Sequence, residues 1–339
     1  MRIIQFQQNL QTDGALIDQP TDLLYLTGLH LSRGVLALTK HKAALFVDGR
    51  YTAYAQKNGP CPVLTLDGAA PLQFLRDEGA SSIAFDSATT SYDTYQSLLK
   101  HATQLDLIPQ TMPLKGMRMR KSVEEIAALK KAQRLTHRGY EYVLSQLKVG
   151  ITEEELAFAF EFFVRKEGAS GLSFESIIAF GENSAYPHHR AGKTALQKNQ
   201  LVLVDVGAVV ADYHGDMTRV HFFGKVDAQL EKMLHWTQRA QLAAIAKVRP
   251  GARLGDLDLA AREVFQQMNI EDRFTHGLGH GIGLETHEPP VVRKNGSDSN
   301  LILETGMVFT IEPGLYIPGV GGTRWEDIIC VTADGAELC

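Results

Sequence analysis

Residues 276–290 read HGLGHGIGLETHEPP. Three histidines, His276, His280 and His287, fall within these fifteen positions. Any one of them, taken alone, reads as a hydrogen-bonded structural residue. Outward in both directions, the chain supplies carboxylates in places that need a reason. Upstream, Asp205 interrupts the apolar run LVLVDVGAVVA (201–211), and Asp216 follows in HGDMTR (214–219). Downstream, Glu312 sits in FTIEPG (309–314) and Glu326 in RWED (324–327). A lone buried carboxylate loses its hydration or shifts its pKa. Four converging carboxylates repel one another unless cations neutralise them, and two divalent ions carry the matching charge. An oxygen-rich set with one imidazole suits Mn²⁺, Co²⁺, Fe²⁺ or Zn²⁺. Two such ions roughly 3.5–4 Å apart can hold a hydroxide between them as nucleophile. Convergence itself is the assumption in this argument.

The elements around these residues predict two domains of the α+β class. The chain has 339 residues, room for about two domains. Short strands are expected at 15–18, 23–26, 34–39, 43–48, 82–86 and 105–109, with helices over 51–57, 72–78 and 94–100. The pair 34–39 and 43–48 reads as a hairpin, and residues 1–113 as a small α/β domain. The basic stretch MPLKGMRMRK (112–121) reads as a solvated connector, with the linker at 114–121 and a second domain over 122–339. Ser122 with Glu125, and Thr152 with Glu155, have capping-box spacing and open two helices. Phe158, Phe160, Phe162 and Phe163 on the second helix read as core. Strands follow at 174–180, 201–210 and 217–223, then helices at 228–248 and 254–268, then strands at 306–311, 314–317 and 327–332. Helix pair then strands, repeated, suggests two similar halves facing across an antiparallel sheet.

Composition excludes several classes. Apolar residues at 44% and charged residues at 22% are globular values, unlike those of disordered or collagen-like chains. Lys+Arg 34 against Asp+Glu 39 gives a net charge of −5, which speaks against nucleic acid or an anionic membrane surface as partner. The first twenty residues lack a signal-peptide apolar core, and no run is long enough to span a membrane. Cys61, Cys330 and Cys339 are odd in number and widely spaced, which predicts reduced thiols and a cytoplasmic location.

The string at 276–290, with VDVG and GDMTR before it and TIEPGLY and GGTRWED after it, resembles the pita-bread metallopeptidases. That group includes aminopeptidase P, prolidase, methionine aminopeptidase and the metal-free creatinase. DLLYLTGL (22–29) and LFVDGRY (45–51) resemble the smaller α/β creatinase-type N-terminal domain that precedes the pita-bread catalytic domain. The resemblance implies that Asp205 chelates one metal, that Asp216 and Glu326 bridge two, and that His280 and Glu312 bind the second. Glu312 would also relay a proton. His188, in SAYPHHR (184–190), would steady substrate and tetrahedral intermediate, His287 the scissile carbonyl or proline side, and His276 the substrate site. His189 is expected to face solvent. Arg324 would orient the metal carboxylates from outside the ligand set, with Tyr213 and Thr218 as further candidates. Gly277, Gly279, Gly281 and Gly283 would let backbone approach the metals.

Methionine aminopeptidases normally lack the upstream domain and creatinase lacks the ligands, so the resemblance narrows to the Xaa-Pro branch. The implied activity is hydrolysis of the bond before proline in short peptides, by a metal-bridging hydroxide, with Mn²⁺ first among the metals and Co²⁺, Zn²⁺ or Fe²⁺ as alternatives. Some prolidases carry an arginine directly after the HExP segment. Here Val291 holds that position and Arg293 is the nearest cation. This leans toward aminopeptidase P, with Xaa-Pro dipeptidase as the alternative and a non-catalytic peptide-binding homologue behind both. The resemblance also implies a homodimer.

Overall fold

The computed structural model describes residues 2–111 and 113–339, so Met112, at the head of the basic connector, lies outside the described residues. The chain separates into two compact units, Met1–Met117 and Arg118–Cys339.

The first unit contains α1 (Arg2–Gln8), β1 (Gly14–Ile17), α2 (Pro20–Thr27), β2 (Val35–Thr39), β3 (Ala43–Val47), α3 (Thr52–Asn58), β4 (Val63–Thr65), α4 (Ala70–Asp77), β5 (Ser82–Asp86), α5 (Tyr92–His101) and β6 (Asp106–Gln110). Its six strands form one mixed sheet in the order β4-β3-β2-β1-β5-β6, with β2 and β3 as the expected antiparallel hairpin. The strand expected at 23–26 is instead the body of α2. Its local signals are helical: Pro20 occupies the first turn, and Gly28, at φ 71°, ends the helix by donating its N–H to the Leu24 carbonyl. Leu16, Ala37, Phe46, Leu75 and Ile83 pack the core of this unit.

The connector is not a solvated linker. Residues Lys115–Met119 form a short helix, α6, and the division falls after Met117. Arg118 and Lys121 are buried, and both reach the Glu288 carboxylate.

The second unit opens with α7 (Val123–Ser145) and α8 (Glu153–Lys166), each with the capping box its sequence predicts. On α8 the period buries Leu156, Phe160 and Val164, while Phe158 and Phe162 point outward at 69% and 66% exposure. The two outward phenylalanines are therefore not core. Strands β7 (Gly171–Leu172), β8 (Ile177–Phe180), β9 (Gln200–Val206), β10 (Ala208–Val210), β11 (Tyr213–His214) and β12 (Met217–Phe223) follow. Then come α9 (Ala228–Ile245), α10 (Gly255–Gln266), β13 (Gly279–Gly281), β14 (Glu288–Val292), β15 (Val308–Ile311), β16 (Gly314–Ile317), β17 (Gly321–Arg324), β18 (Asp327–Thr332) and β19 (Gly335–Leu338). The principal sheets run β12-β9-β8 and β14-β13-β15-β18-β19, both antiparallel. Each follows a helix pair, so the repeat expected from sequence exists as topology. Separate apolar clusters serve the two halves, one around α8 and β9, the other around α9, α10 and β15. Among the described residues no helix is long and apolar enough to cross a membrane.

Candidate metal centre and its cleft

Strand ends and edges of the second unit bring the polar residues together. Asp205 lies on β9 opposite Thr218 of β12, and Asp216 immediately precedes β12. His280 sits on β13 at a register shift. Glu312 follows β15, and its N–H donates to the Leu278 carbonyl at 2.8 Å. Glu326 joins β17 to β18, and its N–H donates to the Thr218 carbonyl at 3.2 Å. Glycines let the strands close up: a Cβ on Gly279 would fall on the Thr310 carbonyl, and one on Gly281 on the Pro289 carbonyl. Strand packing, not approach to a metal, is what excludes a side chain at these two positions.

All five expected ligands line one cleft of about 440 Å³. His280 Nε2 lies 3.7 Å from Asp216 Oδ2 and 3.4 Å from Glu312 Oε1. Asp216, His280 and Glu326 each offer a ligand atom, all within 4.8 Å of one another. Nδ1 of His280 is 3.1 Å from the Gly281 carbonyl, which fixes the proton there and leaves Nε2 as a lone-pair donor.

The electrostatics are those of an anionic cluster short of counter-charge. Burial pushes Asp216 well above the ordinary carboxylate range, and neighbouring Asp205 adds to it. Burial and then Asp216 do the same to Glu326. Glu312 is pushed by burial up to about 8, even against the pull of the Arg324 guanidinium. Burial and nearby His287 bring His280 down to about 4, so its imidazole is neutral near pH 7. Asp205 Oδ1 is buried with no hydrogen-bond partner among the described residues. An orphaned carboxylate oxygen, three carboxyls with raised pKa and a neutral imidazole fit divalent cations, which would relieve all of them together.

Arg324 ties the carboxylates down. Its guanidinium donates to Asp205 Oδ2, to Thr218 Oγ1 at 3.1 Å and to the Tyr316 hydroxyl at 2.8 Å. Thr218 in turn donates to Glu326 Oε2 at 2.7 Å. Tyr213, by contrast, turns away to Glu125. His276 lines the cleft, but its Nδ1 is 2.7 Å from the Gly277 carbonyl and its Nε2 2.9 Å from the Tyr316 hydroxyl. Both ring nitrogens are thus engaged within the protein, in a chain His276–Tyr316–Arg324–Asp205. His188 and His287 are exposed in the cleft, and the His287 ring stands 4.2 Å from that of His280. Phe174, Ile177 and Val291 give apolar wall, and Arg190 and Arg293 basic wall.

Three contributors escaped the sequence. Gln133, on α7, holds the Asp216 main chain with both ends of its amide: Nε2 to the carbonyl at 2.8 Å, Oε1 from the N–H at 2.9 Å. Its signal was a polar residue four positions after Leu129 on a buried helix face. Tyr316 lay inside the quoted TIEPGLY string. His189 is not solvent-facing: its side chain is 17% exposed and its Nε2 lies 2.8 Å from the fully buried Glu153 carboxylate.

Family comparison agrees with this architecture. Residues 127–333 match the model of metallopeptidase family M24, and residues 2–120 match the creatinase/prolidase N-terminal domain. The uncharacterized peptidase YqhT of Bacillus subtilis is 33% identical over 330 residues, covering 96% of this chain and 93% of YqhT. The solved Xaa-Pro dipeptidase from Bacillus anthracis superposes with a TM-score of 0.94 at 30% identity, covering 100% of this chain and 96% of its own. The X-Pro aminopeptidase from Thermotoga maritima gives 0.90 at 28% identity, covering 98% and 97%. With both domains matched along the chain, it belongs to metallopeptidase family M24 and is an enzyme of the pita-bread fold with a creatinase-type N-terminal domain.

Proposed function

We propose that this enzyme is an Xaa-Pro dipeptidase, hydrolysing the bond before a C-terminal proline with the help of two divalent metal ions. Asp205, Asp216, His280, Glu312 and Glu326 would hold the ions. When bound, the ions supply Lewis acidity and lower the pKa of the attacking water. Mn²⁺ is the first choice, since a carboxylate-rich set with one imidazole suits it.

The protein's own groups carry the remaining work. Glu312 accepts the proton of the attacking water and passes it to the proline nitrogen as the bond breaks. His188 and His287 donate hydrogen bonds to the scissile carbonyl, where negative charge develops. Arg324 keeps Asp205 and Glu326 in place from behind, and His276 acts through Tyr316 on Arg324 rather than on substrate. The imide nitrogen of proline has no hydrogen and its ring fixes φ, so an apolar wall of Phe174, Ile177 and Val291 suits the pyrrolidine better than a peptide-binding strand edge would.

The observation that carries the dipeptidase reading is the pair Arg190 and Arg293. Both line the cleft, and among the described residues neither makes an ion pair, so two guanidinia are available for a free proline carboxylate. The name of the Bacillus anthracis protein points the same way. Val291, where a cation would sit directly after the prolines, favours the second reading, aminopeptidase P. Homodimerisation and a cytoplasmic location complete the proposal, the latter supported by three free thiols. Metal-stripped protein with Mn²⁺ added back is assayed on Ala-Pro and Ala-Pro-Ala. Hydrolysis of the dipeptide is expected. Hydrolysis of the tripeptide alone means aminopeptidase P, and hydrolysis of neither by metal-loaded protein refutes the peptidase reading.

A further inference from the structure

Glu153 is fully buried, yet nothing in the proposed chemistry uses it. It stands in the first turn of α8, where a carboxylate could serve the helix's own N–H groups. That need is already met: Thr152 and Glu155 form a reciprocal capping box. The Glu153 oxygens are spent elsewhere. Oε1 accepts from the Phe180 N–H at 2.8 Å and from Asn183 Nδ2 at 2.8 Å. Oε2 accepts from His189 Nε2 at 2.8 Å and from the Gly192 N–H at 3.2 Å. Four donors thus converge on one carboxylate, close to its full acceptor capacity. All four come from the single segment 180–192. The N–H of Glu154 closes the same connection on the Gly192 carbonyl at 3.0 Å.

That segment forms one wall of the cleft, through Pro187, His188, His189 and Arg190. It has little regular structure of its own beyond the turn Gly181–Ala185. Its internal backbone bonds near His188 are the turns Tyr186 N–H to the Asn183 carbonyl at 3.2 Å and His189 N–H to the Tyr186 carbonyl at 3.0 Å, so the direction of the wall depends on bonds from outside the segment. Glu153 supplies them at both ends of the segment, and His189 pins it directly beside His188.

We propose that Glu153 and His189 are positioning residues: their buried pair holds His188, and with it the wall carrying Arg190, in the geometry that engages substrate. This inference rests on the proposed function, because it assigns His188 a substrate contact. His189 itself touches no reacting atom in this scheme. A side chain that donates one hydrogen bond from the same place can replace it, and one that cannot donate leaves three Glu153 bonds, from Phe180, Asn183 and Gly192, none of them beside His188.

The test is a double-mutant cycle on Ala-Pro hydrolysis with Mn²⁺-loaded protein: wild type, His189→Ala, His188→Ala and the double variant, with His189→Gln beside them. Melting temperature and bound metal are measured on each. His189→Ala is expected to lower kcat/KM roughly tenfold or more, as small displacements of substrate-contacting groups do. Metal content should not change. On the His188→Ala background the same substitution should cost less than about twofold, because two changes acting through one group are not additive. His189→Gln should recover most of the loss. Glu153→Gln, which places an NH₂ against N–H donors, should behave like His189→Ala where it folds. Equal fold-losses in both His188 backgrounds, or full activity in His189→Ala, overturn the inference. A wild-type protein that binds Mn²⁺ but cleaves neither peptide is a different failure: the peptidase reading falls and takes this inference with it.

Discussion

At the scale of single residues, a carboxylate cluster is tolerable only with its counter-charges. Glu326 is 2% exposed and shares Thr218 with Arg324. Removing it would take away one of the carboxylates proposed to hold the ions. Glu326→Ala should therefore lower kcat/KM by more than about a hundredfold and reduce bound metal, measured together by kinetics and elemental analysis. Unchanged activity would sink the ligand assignment. His287 is different, since it faces the cleft beside His280 without belonging to the ligand set. His287→Ala should keep the metal and lose about a hundred- to thousandfold in kcat, the usual size of one lost oxyanion donor. Arg293→Ala should raise KM for Ala-Pro about tenfold or more while leaving any activity on longer peptides nearly unchanged, as expected for one lost charged hydrogen bond. An unaltered KM would remove Arg293 as the carboxylate anchor and strengthen the aminopeptidase reading.

At the scale of elements, the connection between β14 and the segment leading into α7 is an ion pair withdrawn from water. Lys121 Nζ and Glu288 Oε1 are 2.8 Å apart, and both side chains are 1% exposed. Arg118 donates to the other oxygen. Burial alone would raise the Glu288 carboxyl, but Lys121 and Arg118 outweigh it and hold it below the usual glutamate range. The linkage has one sign: the folded state binds this proton less readily than the unfolded state. Its stabilising contribution is present above the unfolded glutamate value and disappears as pH falls through the folded one. Lys121→Ala should destabilise by about 1.5–3 kcal/mol, because it removes one of the two cations that hold the buried carboxylate and leaves Arg118 alone on it. It should also flatten the acid limb of the stability curve, followed by denaturant unfolding between neutral and acidic pH. Much at this scale was legible beforehand. Capping boxes at Ser122 and Thr152, the 34–48 hairpin and β12 follow from local chemistry. The α2 helix was not, because four apolar residues fit a strand or a helix equally and only Pro20 and Gly28 break the tie. Phe158 and Phe162 misled for a related reason: composition suggests core, but the 3.6-residue period puts them on the outer face.

At the scale of the molecule, the candidate metal centre should couple stability to pH. Asp216, Glu312 and Glu326 all have raised pKa values for lack of counter-charge, chiefly through burial. In protein stripped of metal the folded state holds these protons more tightly than the unfolded state. Its stability should fall as pH rises from 4.5 through about 8, the span over which Glu312 is shifted. Divalent ions should cancel that slope, since they occupy the carboxylates in deprotonated form. Thermal unfolding with chelator and with excess Mn²⁺, across that range, checks both halves of the statement. Parallel curves would mean that the ions bind elsewhere.

From the sequence came the family, through motifs resembling the pita-bread metallopeptidases, and with it five candidate ligands. Asp205, Asp216, His280, Glu312 and Glu326 stood out because charge inside apolar or glycine-rich strands needs a compensating partner. It also determined the helix starts, where side chain and backbone three residues apart satisfy each other. Contacts between distant segments came from the folded chain alone. Gln133 grips Asp216 across 83 residues, Arg324 reaches Asp205 across 119, and Glu153 holds His189 across 36. No local pattern encodes such partners, because a buried hydrogen bond constrains where two groups meet and leaves their separation along the chain free. His189 is the clearest case. In sequence it is a polar neighbour of His188, and only the burial of Glu153 behind it makes it part of the wall.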